Sequence, residues 1–117
     1  MILTNAQMFD SVSTLSDARN EKGLLGYAIA VNLRKLTNEL REYAAKRDEL
    51  LKEHGTDAGN NRYNLTPAQA KAFNEALTPY SDLTCDVQVM RVAPEVFYGG
   101  ELTSAQMYAL SWMVKEE

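Results

Sequence analysis

The chain has 117 residues and a formal net charge of −4, with 45% hydrophobic and 24% charged residues. A chain of this length is expected to form one domain, 1–117, that folds without disulfides or a structural metal. The composition is typical of a soluble globular protein and argues against a disordered or membrane-embedded one. No apolar run reaches the roughly 18 to 20 residues that cross a bilayer, and the N-terminus lacks a secretory signal, so we expect a cytoplasmic protein.

The excess of acidic residues lies in the second half of the chain. Residues 1–55 carry eight basic and eight acidic side chains, whereas residues 56–117 carry four basic and eight acidic ones. Because phosphate binding depends on clustered Lys and Arg, we expect no direct binding to nucleic acid. Cys85 and His54 are the only residues of their types, which removes the usual zinc ligands, and we expect neither metal nor cofactor.

Three helix starts share one local pattern, a Thr followed three residues later by a Gln. The pairs are Thr4 with Gln7, Thr66 with Gln69, and Thr103 with Gln106. A Thr at the N-cap accepts a hydrogen bond from the third helical residue, and the Gln side chain reaches back to the cap. The pattern predicts that helices begin at these three Thr residues.

Residues 24–54 are predicted to form one long helix around which the chain is organised. Apolar side chains recur there at steps of three and four, at Ile29, Leu33, Leu36, Leu40, Tyr43 and Leu50. Arg47 occupies the one position of this stripe that lacks an apolar residue. Two alternatives are open: the stripe is core within one chain, or its end near Tyr43, Arg47 and Leu50 contacts a partner, of which the same helix of a second copy is one case.

The remaining segments complete a mainly α fold of class α+β. We predict four helices around one long central helix, at 5–19, 24–54, 67–79 and 104–115. Residues 55–64 are rich in Gly, Asn and Asp and predict a loop. Alternating apolar and polar residues predict a strand over 84–92, between the third and last helices. A second short strand at Phe97 and Tyr98 would make it a small β-hairpin.

Aromatic residues near the C-terminal end are candidate interface residues. Phe97, Tyr98 and Trp112 either complete the core or, where they are exposed beside Gly99 and Gly100, act as anchors for a partner protein.

No catalytic constellation is recognisable in the sequence. His54 at a helix end is typical of a solvated residue that complements the helix dipole. Cys85 has no nearby base and is typical of a small buried hydrophobe. We therefore predict a protein that is not an enzyme.

The chain resembles a family of short phage and prophage proteins of unknown function, of the type found in Gram-positive phages. The likeness is carried by the opening residues 3–5, the charged helical residues 30–36 and 47–51, the strand-like residues 86–89 and the closing residues 102–113. Residues 23–26 and 111–112 depart from the family pattern, at a helix joint and on the last helix.

The resemblance implies a phage accessory protein of the bacterial cytoplasm, or of the virion. We expect it to act in phage assembly or host takeover by binding a phage or host protein, with self-association through the long helix as one form. The alternative is an inhibitor of a bacterial defence nuclease, similar to an anti-CRISPR protein, that covers a basic nucleic-acid-binding surface with acidic residues. Those residues would be Asp82, Asp86, Glu95 and Glu101.

Overall fold

The fold is mainly helical with two small antiparallel sheets, of which one joins distant parts of the chain and the other is a local hairpin. The computed structural model describes residues 1–60 and 62–115. In chain order the elements are β1 (Ile2–Thr4), α1 (Asn5–Asp17), α2 (Gly23–Glu39), α3 (Arg41–His54), β2 (Thr56–Gly59), β3 (Arg62–Asn64), α4 (Pro67–Ser81), β4 (Thr84–Asp86), α5 (Pro94–Tyr98) and α6 (Ser104–Ala109), followed by a 3₁₀ turn at Ser111–Met113. The described part measures 47 × 27 × 21 Å. None of its helices is long and apolar enough to cross a membrane.

The three predicted helix starts are confirmed. In α1, α4 and α6 the capping Thr accepts a hydrogen bond from the Gln N–H, and the Gln side chain accepts one from the Thr N–H. The Gln Oε1 to Thr N distances are 2.8 to 2.9 Å. Each cap satisfies two backbone donors locally, which is why four residues of sequence were enough to place it.

The single helix predicted over 24–54 is wrong, because it is interrupted at Leu40. Helix α2 ends at Glu39 and α3 begins at Arg41, and Leu40 has ψ −2° where an α-helix has about −42°. Thr37 and Asn38, just before the interruption, are weak helix formers whose side chains compete for backbone hydrogen bonds. Helix α2 packs against α1, whereas α3 packs against α4.

The apolar stripe of these two helices is core within the chain. Ile29, Leu36, Leu40, Tyr43 and Leu50 are all buried.

The joint before α2 is made by glycine: Gly23 has φ +67°, and a methyl group on Gly26 would collide with the carbonyl of Glu21.

Residues 55–64, predicted as a loop, contain the β2–β3 hairpin instead. Thr56 pairs with Asn64 and Asp57 with Tyr63, and an irregularity follows before Gly59. The Asp57 carboxylate accepts the Gly59 N–H at 2.8 Å, and both Gly59 and Asn60 have positive φ. Gly, Asn and Asp favour both loops and tight hairpin turns. A hairpin differs from a loop in that the residues on either side of the turn pair with each other, and composition does not show this pairing.

The strand predicted over 84–92 is shortened to β4, and its partner is β1. Leu3 pairs with Cys85 in an antiparallel register. After Asp86 the extended chain bonds to side chains of α2: the Asn32 amide contacts both the N–H and the C=O of Met90, at 2.7 and 2.9 Å. Lys35 Nζ donates to the carbonyl of Gln88 at 2.7 Å. Val87 still donates its N–H to the carbonyl of Met1 at 2.8 Å, and beyond it the chain bonds to side chains of α2 instead of to a strand.

The hairpin alternative for Phe97 and Tyr98 is also wrong, because both lie in α5. Pro94 occupies the first turn of that helix, where its missing N–H is not needed.

Other helix ends differ from the predictions by smaller amounts. Helix α1 ends at Asp17 instead of residue 19, and α4 continues past Pro79 to Ser81. The last helix, predicted over 104–115, ends at Ala109 and is followed by the 3₁₀ turn, while 116–117 lie outside the described residues.

Candidate functional site

An aromatic hollow of about 340 Å³ opens between α3, the end of α4 and the start of α1. Its lining is mostly apolar and comprises Asn5, Glu42, Tyr43, Lys46, Tyr80 and Leu83. Tyr80 and Leu83 keep 36% and 57% of their surface exposed, whereas Tyr43 is buried at the base. We call this feature the aromatic hollow.

Hydrogen bonds hold the walls of the aromatic hollow in place. The Tyr43 hydroxyl shares a hydrogen bond of 2.9 Å with the Ser81 hydroxyl, which ties α3 to the last residue of α4. Asn5 donates from its side chain to the carbonyl of Tyr80 and from its backbone N–H to the carbonyl of Leu83, both at 2.9 Å. The hollow is therefore preformed, and a ligand would not have to order it.

One wall of the hollow carries a cation. Lys46 Nζ lies 5.2 Å from the centre of the Tyr80 ring and 3.5 Å from Glu49 Oε1. The negative charge of Glu49, followed by Tyr80, raises the pKa of Lys46 above its ordinary value. Lys46 therefore stays protonated at the mouth of the hollow.

Arg47 fills the gap in the apolar stripe by stacking. Its guanidinium carbon lies 5.1 Å from the centre of the Phe9 ring and 5.7 Å from that of Phe73. Phe9 in turn contacts Tyr43 edge to face, with ring centres 6.0 Å apart. The aromatic rings of α1 and α4 thus accept a cation at a position where the sequence pattern lacks an apolar side chain.

The interface residues predicted on α3 are therefore covered mainly by their own chain. Tyr43 and Leu50 are buried, and Arg47 is partly buried between two rings. Tyr43 also forms the base of the aromatic hollow, so the predicted partner-facing end of the stripe lies directly beneath an accessible depression.

The predicted aromatic anchors near the C-terminal end divide into core and surface. Phe97 is fully buried, whereas Tyr98 is 59% exposed and contacts Phe97 edge to face at 5.1 Å. Trp112 is partly buried, and its indole Nε1 has no hydrogen-bond partner among the described residues. Of these three, Tyr98 is the one that presents most of its ring to solvent.

The four predicted acidic residues do not form one face. Asp82 caps α4 and Asp86 contacts the N-terminal amine at 2.8 Å, both beside β4. Glu95 lies in the first turn of α5, and the Glu101 N–H donates to Glu21 at 2.9 Å. Glu21, the partner of Glu101, lies just before α2, whereas Glu39, which contacts β4, is its last residue. The pair near β4 and the pair near Glu21 are therefore separated by the length of α2, about 24 Å.

Cys85 is held as a thiol. Its sulfur donates to Glu39 Oε2 at 3.2 Å. This hydrogen bond, together with desolvation and the charges of Glu39 and Asp86, raises the pKa of the Cys85 thiol. A raised pKa disfavours the thiolate, the form that acts as a nucleophile.

We expect Glu39→Gln to increase the rate of Cys85 alkylation by iodoacetamide at pH 8 by roughly two- to tenfold, because the variant loses the carboxylate that opposes thiolate formation. In the wild type, the rate should rise with pH through a midpoint above that of free cysteine. Glu53→Gln, which removes an exposed acid from α3, is the matched control and should leave the rate unchanged. Equal rates in Glu39→Gln and the wild type would contradict the role assigned to Glu39.

No group of three or more His, Cys, Asp or Glu side chains in residues 1–60 and 62–115 is arranged to hold a metal ion. His54 lies in the last turn of α3, as predicted.

Sequence reasoning missed most of the aromatic hollow. Tyr80, Leu83 and Lys46 were not singled out, because they come from segments far apart in the chain that meet only in the fold. Pro79 lies in the last turn of α4, but it does not indicate which side chains near the end of this helix stay exposed.

Comparisons of this chain with protein-family models, with curated proteins and with solved structures give no match.

Proposed function

We propose that this protein is not an enzyme and acts by binding another protein, with the aromatic hollow receiving an apolar side chain of the partner. The observation that carries the proposal is the exposure of Tyr80 and Leu83 around a preformed, mostly apolar depression. Burying one large apolar side chain there would contribute about 1.5 to 3 kcal/mol of binding free energy. Tyr is also among the residues that dominate the energetics of protein interfaces.

The charges at the mouth of the aromatic hollow suggest how a partner is oriented. Lys46 stays protonated on one wall, and Glu42 lines the same depression. A partner segment with an apolar anchor flanked by one acidic residue would place its carboxylate near Lys46. Such rim charges contribute more to association rate and orientation than to affinity.

The resemblance described above supplies the proposed biological setting. We propose a phage or prophage accessory protein of the bacterial cytoplasm, or of the virion, whose partner is a phage or host protein in assembly or host takeover. Self-association is the special case in which the partner is a second copy of the chain.

The first test is site-specific photo-cross-linking in bacterial cells that express the phage genes. We expect p-benzoylphenylalanine at position 83 to give a discrete adduct that Tyr80→Ala abolishes, because Tyr80 lines the same hollow. The same photo-reactive residue at Lys52, which is exposed on α3 outside the hollow, is the control. Identical adducts from both positions, or none from position 83, would count against the proposal.

Sedimentation equilibrium then separates the two kinds of partner. If the hollow binds a second copy, the wild type should dimerise at high concentration and Leu83→Ser should shift the equilibrium to monomer. If both remain monomeric, the adduct must come from a different protein.

Inhibition of a defence nuclease is the weaker proposal. It requires one continuous acidic face, whereas Asp82 and Asp86 lie at the opposite end of α2 from Glu101. A nuclease protection assay with Asp82, Asp86, Glu95 and Glu101 neutralised together tests it. Loss of protection would favour this function, and unchanged protection would remove its electrostatic basis.

A further inference from the structure

A second exposed apolar surface lies where α2 begins and α5 ends. Leu24 and Tyr27 project from neighbouring positions on the first turns of α2, three residues apart. They are 54% and 62% exposed, and Tyr98 at the end of α5 is 59% exposed. We call Leu24, Tyr27 and Tyr98 the tyrosine face.

The fold fixes α5 against the start of α2. Gly100, two residues after Tyr98, lies against Leu25, and a methyl group added to it would overlap the Leu25 side chain. The Glu101 N–H donates to Glu21 Oε2 at 2.9 Å. Phe97 anchors α5 in the core and contacts the Tyr98 ring edge to face. Tyr98 is therefore presented on a rigid support, at the same end of the molecule as Leu24 and Tyr27.

The surroundings of the tyrosine face are acidic. Residues 92–114 contain no Lys, Arg or His, and they carry Glu95 and Glu101. Asp17, Glu21 and Glu101 line one recess at the end of the molecule where α2 begins. None of these four carboxylates forms an ion pair within residues 1–60 and 62–115.

Few cations compensate for this charge. The Arg19 guanidinium donates to the carbonyl of Ser16 at 2.8 Å, so it is turned back onto α1. Lys22 is exposed on the turn before α2, and Arg34 lies two turns beyond Tyr27. The surface thus combines accessible tyrosine rings with carboxylates that form no ion pair among the residues that the structure describes.

We propose that the tyrosine face binds an arginine-rich segment of a partner protein. Arg is selected over Lys because its planar guanidinium stacks on aromatic rings and pairs with carboxylates through two parallel hydrogen bonds. The surface is separate from the aromatic hollow, because Leu24 lies near the start of α2 and Tyr43 lies beyond its end. The protein therefore has a second binding surface, of different chemistry from the first.

The test uses the full chain and a fluorescein-labelled nona-arginine peptide, with binding followed by fluorescence anisotropy at low salt. Nona-arginine should bind at least about fivefold more tightly than nona-lysine, because only the guanidinium combines stacking with bidentate pairing. The double variant Tyr27→Leu with Tyr98→Leu keeps apolar surface but removes both rings, and should weaken binding about tenfold. Tyr80→Leu, which alters the aromatic hollow, is the matched control and should have no effect.

Two pairs of variants separate the effect of the carboxylates near the tyrosine face from the effect of the net charge of the protein. Glu95→Gln with Glu101→Gln should weaken nona-arginine binding by roughly five- to tenfold, since each carboxylate lost removes one charge-assisted contact. Asp48→Asn with Glu53→Gln removes the same net charge from exposed positions of α3. That control pair should change the affinity by less than about twofold.

Amide NMR spectra of the unmodified protein give a readout that does not depend on any variant folding. Addition of nona-arginine should shift resonances of residues 21–27 and 95–101. The proposal is overturned if the shifts map elsewhere, if nona-lysine binds equally well, or if the control charge pair weakens binding as much as the pair at Glu95 and Glu101.

Discussion

Asn32→Leu is expected to destabilise the folded protein by about 3 kcal/mol, although leucine is similar in size and suits a buried site. Asn32 is fully buried, and its side-chain amide is the hydrogen-bond partner of both backbone groups of Met90. The substitution would leave a partly buried N–H and a partly buried C=O without partners, and each orphaned group is expected to lower the free energy of unfolding by about 1 to 3 kcal/mol. Urea denaturation followed by circular dichroism measures the loss.

Asn38→Leu is the matched control, since Asn38 is exposed on the same helix and forms no side-chain hydrogen bond within the described residues. It should change the unfolding free energy by no more than about 0.5 kcal/mol. We call the two hydrogen bonds between the Asn32 side chain and the Met90 backbone the Asn32 clamp. An Asn32→Leu protein as stable as this control would show that Met90 finds other partners and that the clamp contributes little to stability.

Asn32→Asp gives the same clamp a pH-dependent signature. The carboxylate still accepts the Met90 N–H but faces the Met90 carbonyl without a proton to donate. Burial and this repulsion should raise the carboxyl pKa in the folded state above the unfolded value of about 3.9. The variant should therefore be closest to wild-type stability below that unfolded pKa and lose stability as pH rises through the raised folded pKa. A pH-independent difference from the wild type between pH 4 and 7 would contradict this account.

The clamp at Asn32 also shows where sequence reasoning reaches its limit. The alternation from Cys85 to Val89 predicted a strand over 84–92, of which the structure has Thr84–Asp86, although Val87 is buried while Asp86 and Gln88 are exposed as the alternation requires. It did not predict what this segment would bond to. The partner of Met90 lies 58 residues away on α2, and a helical Asn with apolar neighbours carries no signal that distinguishes a clamp from a surface residue.

Features determined by a few adjacent residues were predictable, and features determined by packing were not. The caps at Thr4, Thr66 and Thr103 depend on four consecutive residues and were placed correctly. The interruption at Leu40 lies between a helix that packs against α1 and one that packs against α4, and the residues around it carry only a weak signal. Pro94 lies in the first turn of α5 and is a local helix signal that the hairpin prediction at Phe97 and Tyr98 did not use.

The same distinction applies to the candidate site. The apolar stripe led to Tyr43, which forms the base of the aromatic hollow, because helical periodicity identifies buried positions. The rim residues Tyr80 and Leu83 reach that base from the end of α4 and the start of β4, through hydrogen bonds with Asn5. Exposure of an apolar side chain depends on what the rest of the fold leaves uncovered, which local sequence does not encode.

The largest loss of stability is expected from Phe97→Ala, at about 3 to 5 kcal/mol. Phe97 is fully buried and is the one buried residue of the five-residue helix α5. A helix this short has little stability of its own, so its position depends on the burial of this ring. We expect a lower denaturation midpoint, and a less ordered segment around residues 94–101 in hydrogen exchange.

Tyr98→Ala distinguishes the exposed Tyr98 ring from Phe97, which anchors α5 in the core. Because Tyr98 is mostly exposed, its truncation should lower the unfolding free energy by no more than about 1 kcal/mol, the size of its edge-to-face contact with Phe97. Phe97→Leu should fall between the two, since it keeps apolar volume in the core. If Tyr98→Ala destabilised the fold as much as Phe97→Ala, the Tyr98 ring would be part of the core, and its presentation to a partner on a rigid support would have to be abandoned.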